Sequence, residues 1–192
     1  MTSPFTSEVS LRLAEVVSGS KDIFEASEAV PAEQAVLAAL EALDPGGLLV
    51  LDFEGVRISS EAARQLLRRA MHRLRGGEIT DRYLVLSRLL GGSRYNMEVM
   101  LQGEGLVGVE RTSEPPGARL LGEIEPALEQ TFVVLAARPT ASASQIREKL
   151  GLNSTQAATN RLAALAKAAL ARRVTERSLE GGGREFIYAA VH

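Results

Sequence analysis

The stretch SQIREKLGLNSTQAATNRLAALAKAAL, residues 144–170, decides how the C-terminal part of the chain folds. Ser142 or Ser144 offers a side-chain oxygen to cap a short helix that runs through Leu150. Gly151 makes the turn, because a left-handed residue after a helix favours glycine. Asn153 or Ser154 caps the next helix, whose Ala158, Leu162 and Leu165 share one face. Its outward positions are Ser154, Thr155, Gln156, Thr159, Asn160 and Arg161, all of them hydrogen-bonding side chains. Upstream, the spacing of Leu128, Phe132 and Leu135 predicts a helix over Ile124 to Ala137, closed by Arg138-Pro139. Downstream, Arg173 to Ser178 and Glu185 to Val191 read as two strands, with Gly181-Gly182-Gly183 between them.

This order of elements resembles bacterial winged-helix regulators over about seventy residues. Their pattern is an Ile and a Leu on the second helix, Gly-Leu in the turn, and a recognition helix ending in Leu-x-x-Leu-x-x-x-Gly-Leu. A basic strand and a glycine-rich wing follow. The one departure is Ala169, which stands where the family has Gly before the last Leu. The resemblance implies a winged helix-turn-helix that binds double-stranded DNA. A helix-turn-helix inserts the N-terminal part of its second helix into the major groove. Gln156 and Asn160 can each pair with an adenine edge, and Arg161 can reach a guanine or a phosphate. Arg177 and Arg184 flank the glycine-rich tip, where a wing meets phosphates without reading sequence.

The N-terminal part alternates strand and helix. Glu8 to Val17 reads as a strand, with a turn signal at Ser18, Gly19 and Ser20. Pro31 is placed as the first residue of a helix over Ala32 to Leu43, which Asp44-Pro45-Gly46-Gly47 stops. Leu48 to Phe53 is a continuous apolar run, as expected of a strand buried on both faces. Ser59 or Ser60 caps a helix running to about Leu74, with Leu66, Leu67, Ala70, Met71 and Leu74 inward and Arg64, Arg68, Arg69, Arg73 and Arg75 outward. Tyr83 to Leu86 is a second buried strand, a short helix spans Ser93 to Leu101, and Val107 to Arg111 with Ala118 to Leu121 forms a hairpin bridged by Ser113 to Gly117. Such alternation argues for a sheet covered by helices.

Residues 49–67, LVLDFEGVRISSEAARQLL, are similar to STAS-like domains, and the resemblance extends over residues 7–105. Their pattern is a buried strand, Asp-Phe-x-Gly-Val, a short extension, a serine pair and a helix. In the anti-sigma factor antagonists of that family a serine in the corresponding loop is phosphorylated and switches partner binding. Ser59 and Ser60 match the pair and are the candidate phospho-switch, with Ile58 and Glu61 where the antagonists have Asp and Gly. A plain helix N-cap accounts for the same serines.

Composition limits the chemistry. The 192 residues contain no Cys and no Trp, which removes disulfides, Cys-ligated zinc and Cys nucleophiles. The two histidines, His72 and His192, lack metal-ligand spacing, and the glycine pairs read as turns rather than as a phosphate loop. No catalytic constellation, metal or cofactor is expected. Residues 123–192 carry 9 Lys/Arg against 7 Asp/Glu, whereas residues 1–122 carry 13 against 17, so the basic excess lies with the predicted DNA-binding part. No apolar run reaches the roughly 20 residues of a membrane span and no signal peptide is seen, so a cytoplasmic protein is expected.

The expected fold class is α+β in two domains: a STAS-like helix-covered sheet over residues 1–117 and a winged helix-turn-helix over residues 123–192. The expected function is DNA-binding transcription regulation by a non-enzymatic homodimer, with a protein partner at the first domain. The alternative is a partner-switching module whose winged helix serves dimerisation or docking.

Overall fold

The structure is a computed structural model that describes residues 4–17, 19, 21–113, 116–178 and 184–192. The predicted turn residues Ser18 and Ser20, part of the Ser113–Gly117 bridge, and the Gly181–Gly183 tip lie outside the described residues. The chain is a mixed α/β fold with seven helices among those residues. It divides into two compact units, Phe5–Glu123 and Ile124–His192, the second joined by Pro4.

The first unit begins with β1 (Glu8–Arg12) and continues through α1 (Leu13–Val16), β2 (Asp22–Ile23), α2 (Ala26–Ala42), β3 (Gly47–Asp52) and β4 (Arg57–Ile58). It then runs through α3 (Ser60–Arg75), β5 (Arg82–Ser87), α4 (Gly91–Gly103), β6 (Val107–Ser113) and β7 (Pro116–Gly122). The main sheet has the order β1-β3-β5-β6-β7, with the first four strands parallel and β7 antiparallel to β6. Every residue of β3 is buried, as its unbroken apolar run requires of a central strand. Leu49 and Leu51 of β3 and Leu84 and Leu86 of β5 join one core with Val36 and Leu40 of α2, Leu66 and Leu67 of α3, and Met97 and Leu101 of α4. Burying each such side chain contributes roughly 1.5–3 kcal/mol, and this shared core holds the helical layer on the sheet.

Two sequence expectations need correction. The segment Glu8–Val17 is not one strand, because the chain leaves the sheet edge at Leu13 to bury that side chain completely in the core. Pro31 does not start α2. The helix begins at Ala26, where Glu25 and Glu28 form a reciprocal capping box. Pro31 therefore lies inside the helix and forfeits one backbone hydrogen bond. Ser59 caps α3 as expected, accepting from the Ala62 N–H at 3.1 Å.

The second unit comprises α5 (Pro126–Ala136), β8 (Ala141–Ser142), α6 (Ala143–Leu150), α7 (Thr155–Lys167), β9 (Ala171–Ser178) and β10 (Arg184–Ala190). Phe132, Leu135, Ile146, Ala158, Leu162, Leu165, Leu170 and Tyr188 are its buried core. The sheet order is β8-β10-β9, so β10 pairs with a strand on each side. Ser142 caps α6 through a capping box with Gln145, and Ser154 caps α7 by accepting from the Ala157 N–H at 3.2 Å. Gly151 ends α6 in the left-handed conformation, at φ 63°.

Ala169 adopts the same conformation, φ 56°, where alanine pays a steric penalty of about 1–2 kcal/mol that glycine avoids. Greater unfolded-state freedom offsets part of that gain. Ala169→Gly is expected to raise the opening free energy of the second unit by about 1 kcal/mol, read as amide hydrogen-exchange protection in α7 and β10. Ala169→Val should lower it. Equal protection in the two variants would show that the turn relaxes without cost.

Candidate functional site

The exposed face of α7 collects the polar residues that sequence spacing assigned to it. Ser154, Gln156 and Asn160 are exposed, and Thr155 and Thr159 are half-buried beside them. Ala158, Leu162 and Leu165 face the core, so packing fixes the rotation of the helix. Gln156 Nε2 donates to Asn160 Oδ1 at 2.8 Å, one helical turn away. That bond orders two amides while leaving the Gln156 oxygen as an acceptor and the Asn160 nitrogen as a donor. Thr159 donates to the Thr155 carbonyl at 3.0 Å. Arg161 sits apart from this group. It is half-buried and donates to the Ala127 carbonyl of α5 at 3.4 Å, on the inner flank of α7.

The β9–β10 pair carries a second concentration of charge. Arg177 stands opposite Glu185 in register and grips it with Nε at 3.1 Å and a terminal nitrogen at 2.7 Å. Glu185 is only 7% exposed, and the Ser144 N–H also donates to it at 3.1 Å. Burial alone would favour the neutral carboxyl. Hydrogen bonds from Ser144, Ser142 and Arg177 outweigh it and hold the carboxyl down to about 2. Two further arginines meet at Glu176: Arg173 at 3.0 Å on one carboxylate oxygen and Arg184 at 3.0 Å on the other. The Arg173 guanidinium also lies over the Phe186 ring, 3.1 Å from its centre.

The sequence placed Arg177 on the first strand and Arg184 just before the second, whereas β10 begins at Arg184 itself, and it left their carboxylate partners unassigned. Glu185 was readable in principle, because residues directly opposite on paired strands interact and Arg177 lies across from it. That signal needs the register, which the sequence leaves open. Glu185 also predicts an acid response. A carboxyl lowered from 4.5 to about 2 stabilises the folded unit above the higher value and loses that contribution as pH falls through the lower one. Between about pH 5 and pH 2 the second unit is expected to lose about 3 kcal/mol through this group. Glu185→Gln should start less stable at neutral pH and show a flatter acid limb in hydrogen exchange. A limb as steep as in the parent chain would assign the acid sensitivity elsewhere.

In the first unit, the Ser59 hydroxyl donates to the Phe24 carbonyl at 2.6 Å while accepting from Ala62. Both hydrogen-bonding functions of the candidate phospho-switch are engaged by the folded backbone, and the half-buried Ser60 begins the helix beside it. Asp52, 2% exposed, ends β3 in a two-point contact with Arg88, and the Glu54 N–H donates to it at 3.0 Å. A cleft of about 310 Å³ opens there at the carboxyl ends of the parallel strands, lined by Ser10, Asp52, Ser87, Arg88, Arg111 and Thr112 among others. The arginine stripe of α3 forms a network: Arg64 and Arg68 converge on Glu104 at 2.9 and 3.0 Å, and Arg73 contacts Glu41 and Glu78 at 2.6 and 3.2 Å.

Among the described residues no group of three His, Cys, Asp or Glu side chains could hold a metal ion, and no helix is long and apolar enough to cross a membrane. Comparison with protein-family models, with curated proteins and with solved structures gives no match to this chain.

Proposed function

We propose that the second unit is a winged helix-turn-helix that binds duplex DNA, and that the chain is a homodimeric transcription regulator with a STAS-like regulatory domain over its first unit. The observation that carries this reading is the exposed polar face of α7, with Gln156 and Asn160 held together on it. The element order adds support: three helices, a capped turn at Gly151, then a pair of antiparallel strands bearing Arg172, Arg173, Arg177 and Arg184. A recognition helix needs side chains that present donors and acceptors to base edges without further rearrangement. The Gln156–Asn160 pair offers one acceptor and one donor side by side, the complement of the N6 amine and N7 of a single adenine.

Arg161 serves as a strut between α7 and α5 in this reading, and Arg177 as the partner of Glu185. Phosphate contact falls to the exposed Arg184. The first unit regulates without catalysis, and the engaged Ser59 hydroxyl favours a helix cap over a phospho-switch.

The test starts by selecting bound sequences from a random duplex pool. Asn160→Ala is then expected to reduce the preference for the selected site over random duplex roughly tenfold, the scale of one lost bidentate base contact. Fluorescence anisotropy on both duplexes measures it. Equal weakening on the two would remove Asn160 as a base reader, and an absence of salt-dependent duplex binding would remove the DNA reading itself.

A further inference from the structure

We infer that Arg173 and Arg184 form a seat for one backbone phosphodiester, and that Glu176 occupies this seat until the nucleic acid displaces it. The inference rests on the DNA-binding reading and adds the residues and the switching step of one of its contacts. Two guanidiniums converge on a single carboxylate, each on its own oxygen and each at 3.0 Å. The two non-bridging oxygens of a phosphodiester present the same arrangement of negative charge. The cross-strand register explains how Arg184 meets Glu176. Glu176 stands opposite Phe186, and Arg184 opposite Ser178, so alternation places Glu176 and Arg184 on one face of the strand pair. Arg177 and Glu185 occupy the other face.

The two ion-pair groups differ in how readily they exchange. Glu185 is buried and takes hydrogen bonds from Ser144 as well as Arg177, so its removal from Arg177 would strand a buried charge. Glu176 is 41% exposed, and its partners Arg173 and Arg184 are 49% and 71% exposed. Exposed pairs are weak, and water resolvates a released carboxylate at little cost. Arg173 is also held over the Phe186 ring, so it does not have to be ordered when a phosphate arrives. The seat is preformed and its occupant is loosely held.

The balance of charge gives the measurable consequence. In the free protein Glu176 neutralises part of the two guanidiniums, which lowers their contribution to counterion release on binding. Removing the carboxylate leaves both cations for the phosphate. The probe is a fluorescently labelled random-sequence duplex, titrated with the full chain by anisotropy over a range of salt concentrations.

Glu176→Gln is expected to tighten binding roughly three- to tenfold and to steepen the dependence of log Kd on log salt by up to about one unit. Arg173→Ala and Arg184→Ala should each weaken binding and flatten the slope. The Glu176→Gln gain should shrink when combined with Arg184→Ala and fall to its smallest when Arg173→Ala is added as well, because the carboxylate then has no guanidinium to release. Circular dichroism should show unchanged folding for the exposed Glu176 substitution. If the parent chain binds the duplex while Glu176→Gln binds no tighter, or if the gain stays undiminished without Arg173 and Arg184, the seat is overturned and the DNA reading stands. If neither the parent nor Glu176→Gln shows salt-dependent binding, both fall together.

Discussion

Gly122→Ala is expected to destabilise the first unit by about 4 kcal/mol, a large share of the 5–15 kcal/mol that holds a typical domain folded. Gly122 ends β7 at φ 95°, a conformation that side-chain-bearing residues rarely adopt. A Cβ built there would stand 2.4 Å from the Leu106 carbonyl oxygen and 3.2 Å from the Leu101 Cβ. Neither neighbour can retreat cheaply. Leu101 is fully buried in the core, and the Leu106 N–H is hydrogen-bonded to the Leu101 carbonyl at 2.9 Å. Relief would require the chain between α4 and β6 to move, and with it the edge of the sheet. Hydrogen exchange along β6 and β7 and the midpoint of denaturant unfolding measure the loss. Gly92→Ala is the control. Its Cβ would meet nothing within 4 Å, and alanine suits a helix better than glycine by up to about 1 kcal/mol. Comparable losses in the two variants would mean that the close approach at Gly122 carries no special cost.

Arg94→Ala should weaken the same unit by about 3–5 kcal/mol, the usual cost of leaving a buried charge without its partner. Glu110 lies on β6 at 2% exposure, and Arg94 of α4 meets both of its oxygens at 2.7 Å. Arg94 also donates to the Leu89 carbonyl at 3.0 Å. The hydrogen bond to Glu110, above all, raises the Arg94 guanidinium further above its ordinary value. Removing the guanidinium strands the carboxylate among buried neighbours. Replacing both residues, Arg94→Met with Glu110→Leu, should recover most of the loss, because an apolar pair of similar bulk leaves no charge to desolvate. A double variant as unstable as Arg94→Ala would show that the pair itself, rather than the stranded charge, carries the energy.

These effects depend on contacts between segments that are distant in sequence, as does much of the charge arrangement in the first unit. Arg88 reaches back to Asp52, Arg94 forward to Glu110, and Arg111 to Glu8 across 103 residues of chain at 2.8 and 3.0 Å. In the sequence each arginine looks like a solvent-facing residue, and several of the carboxylates like loop residues. Long flexible side chains choose their partners by three-dimensional proximity, and composition carries no trace of that choice. The second unit behaves likewise at Arg161, which shares the polar stretch of α7 in sequence but turns toward α5 in the structure.

What the sequence determined by itself was mostly local. The apolar run from Leu48 marks the central strand β3, because only a strand covered on both faces can tolerate no polar alternation over that length. The cap pairs Ser59 or Ser60, Ser142 or Ser144, and Asn153 or Ser154 mark helix starts, since a side-chain oxygen there satisfies a backbone N–H that the helix leaves unpaired, and the structure uses Ser59, Ser142 and Ser154. Apolar spacing along α7 fixes its inward face and therefore its outward one, so the candidate reading surface at Gln156 and Asn160 was legible without coordinates. The start of α2 is local too, set by the Glu25–Glu28 box three residues apart, although Pro31 reads as the first helical residue in the sequence. Tertiary structure decided that Gly122 must be glycine, through one carbonyl oxygen packed against it. It also decided which arginines of the second unit remain available. Arg177 and Arg184 flank the same loop in sequence, yet strand register gives one a buried carboxylate and the other an exposed one. Register is a property of two paired chains, and neither strand specifies it alone.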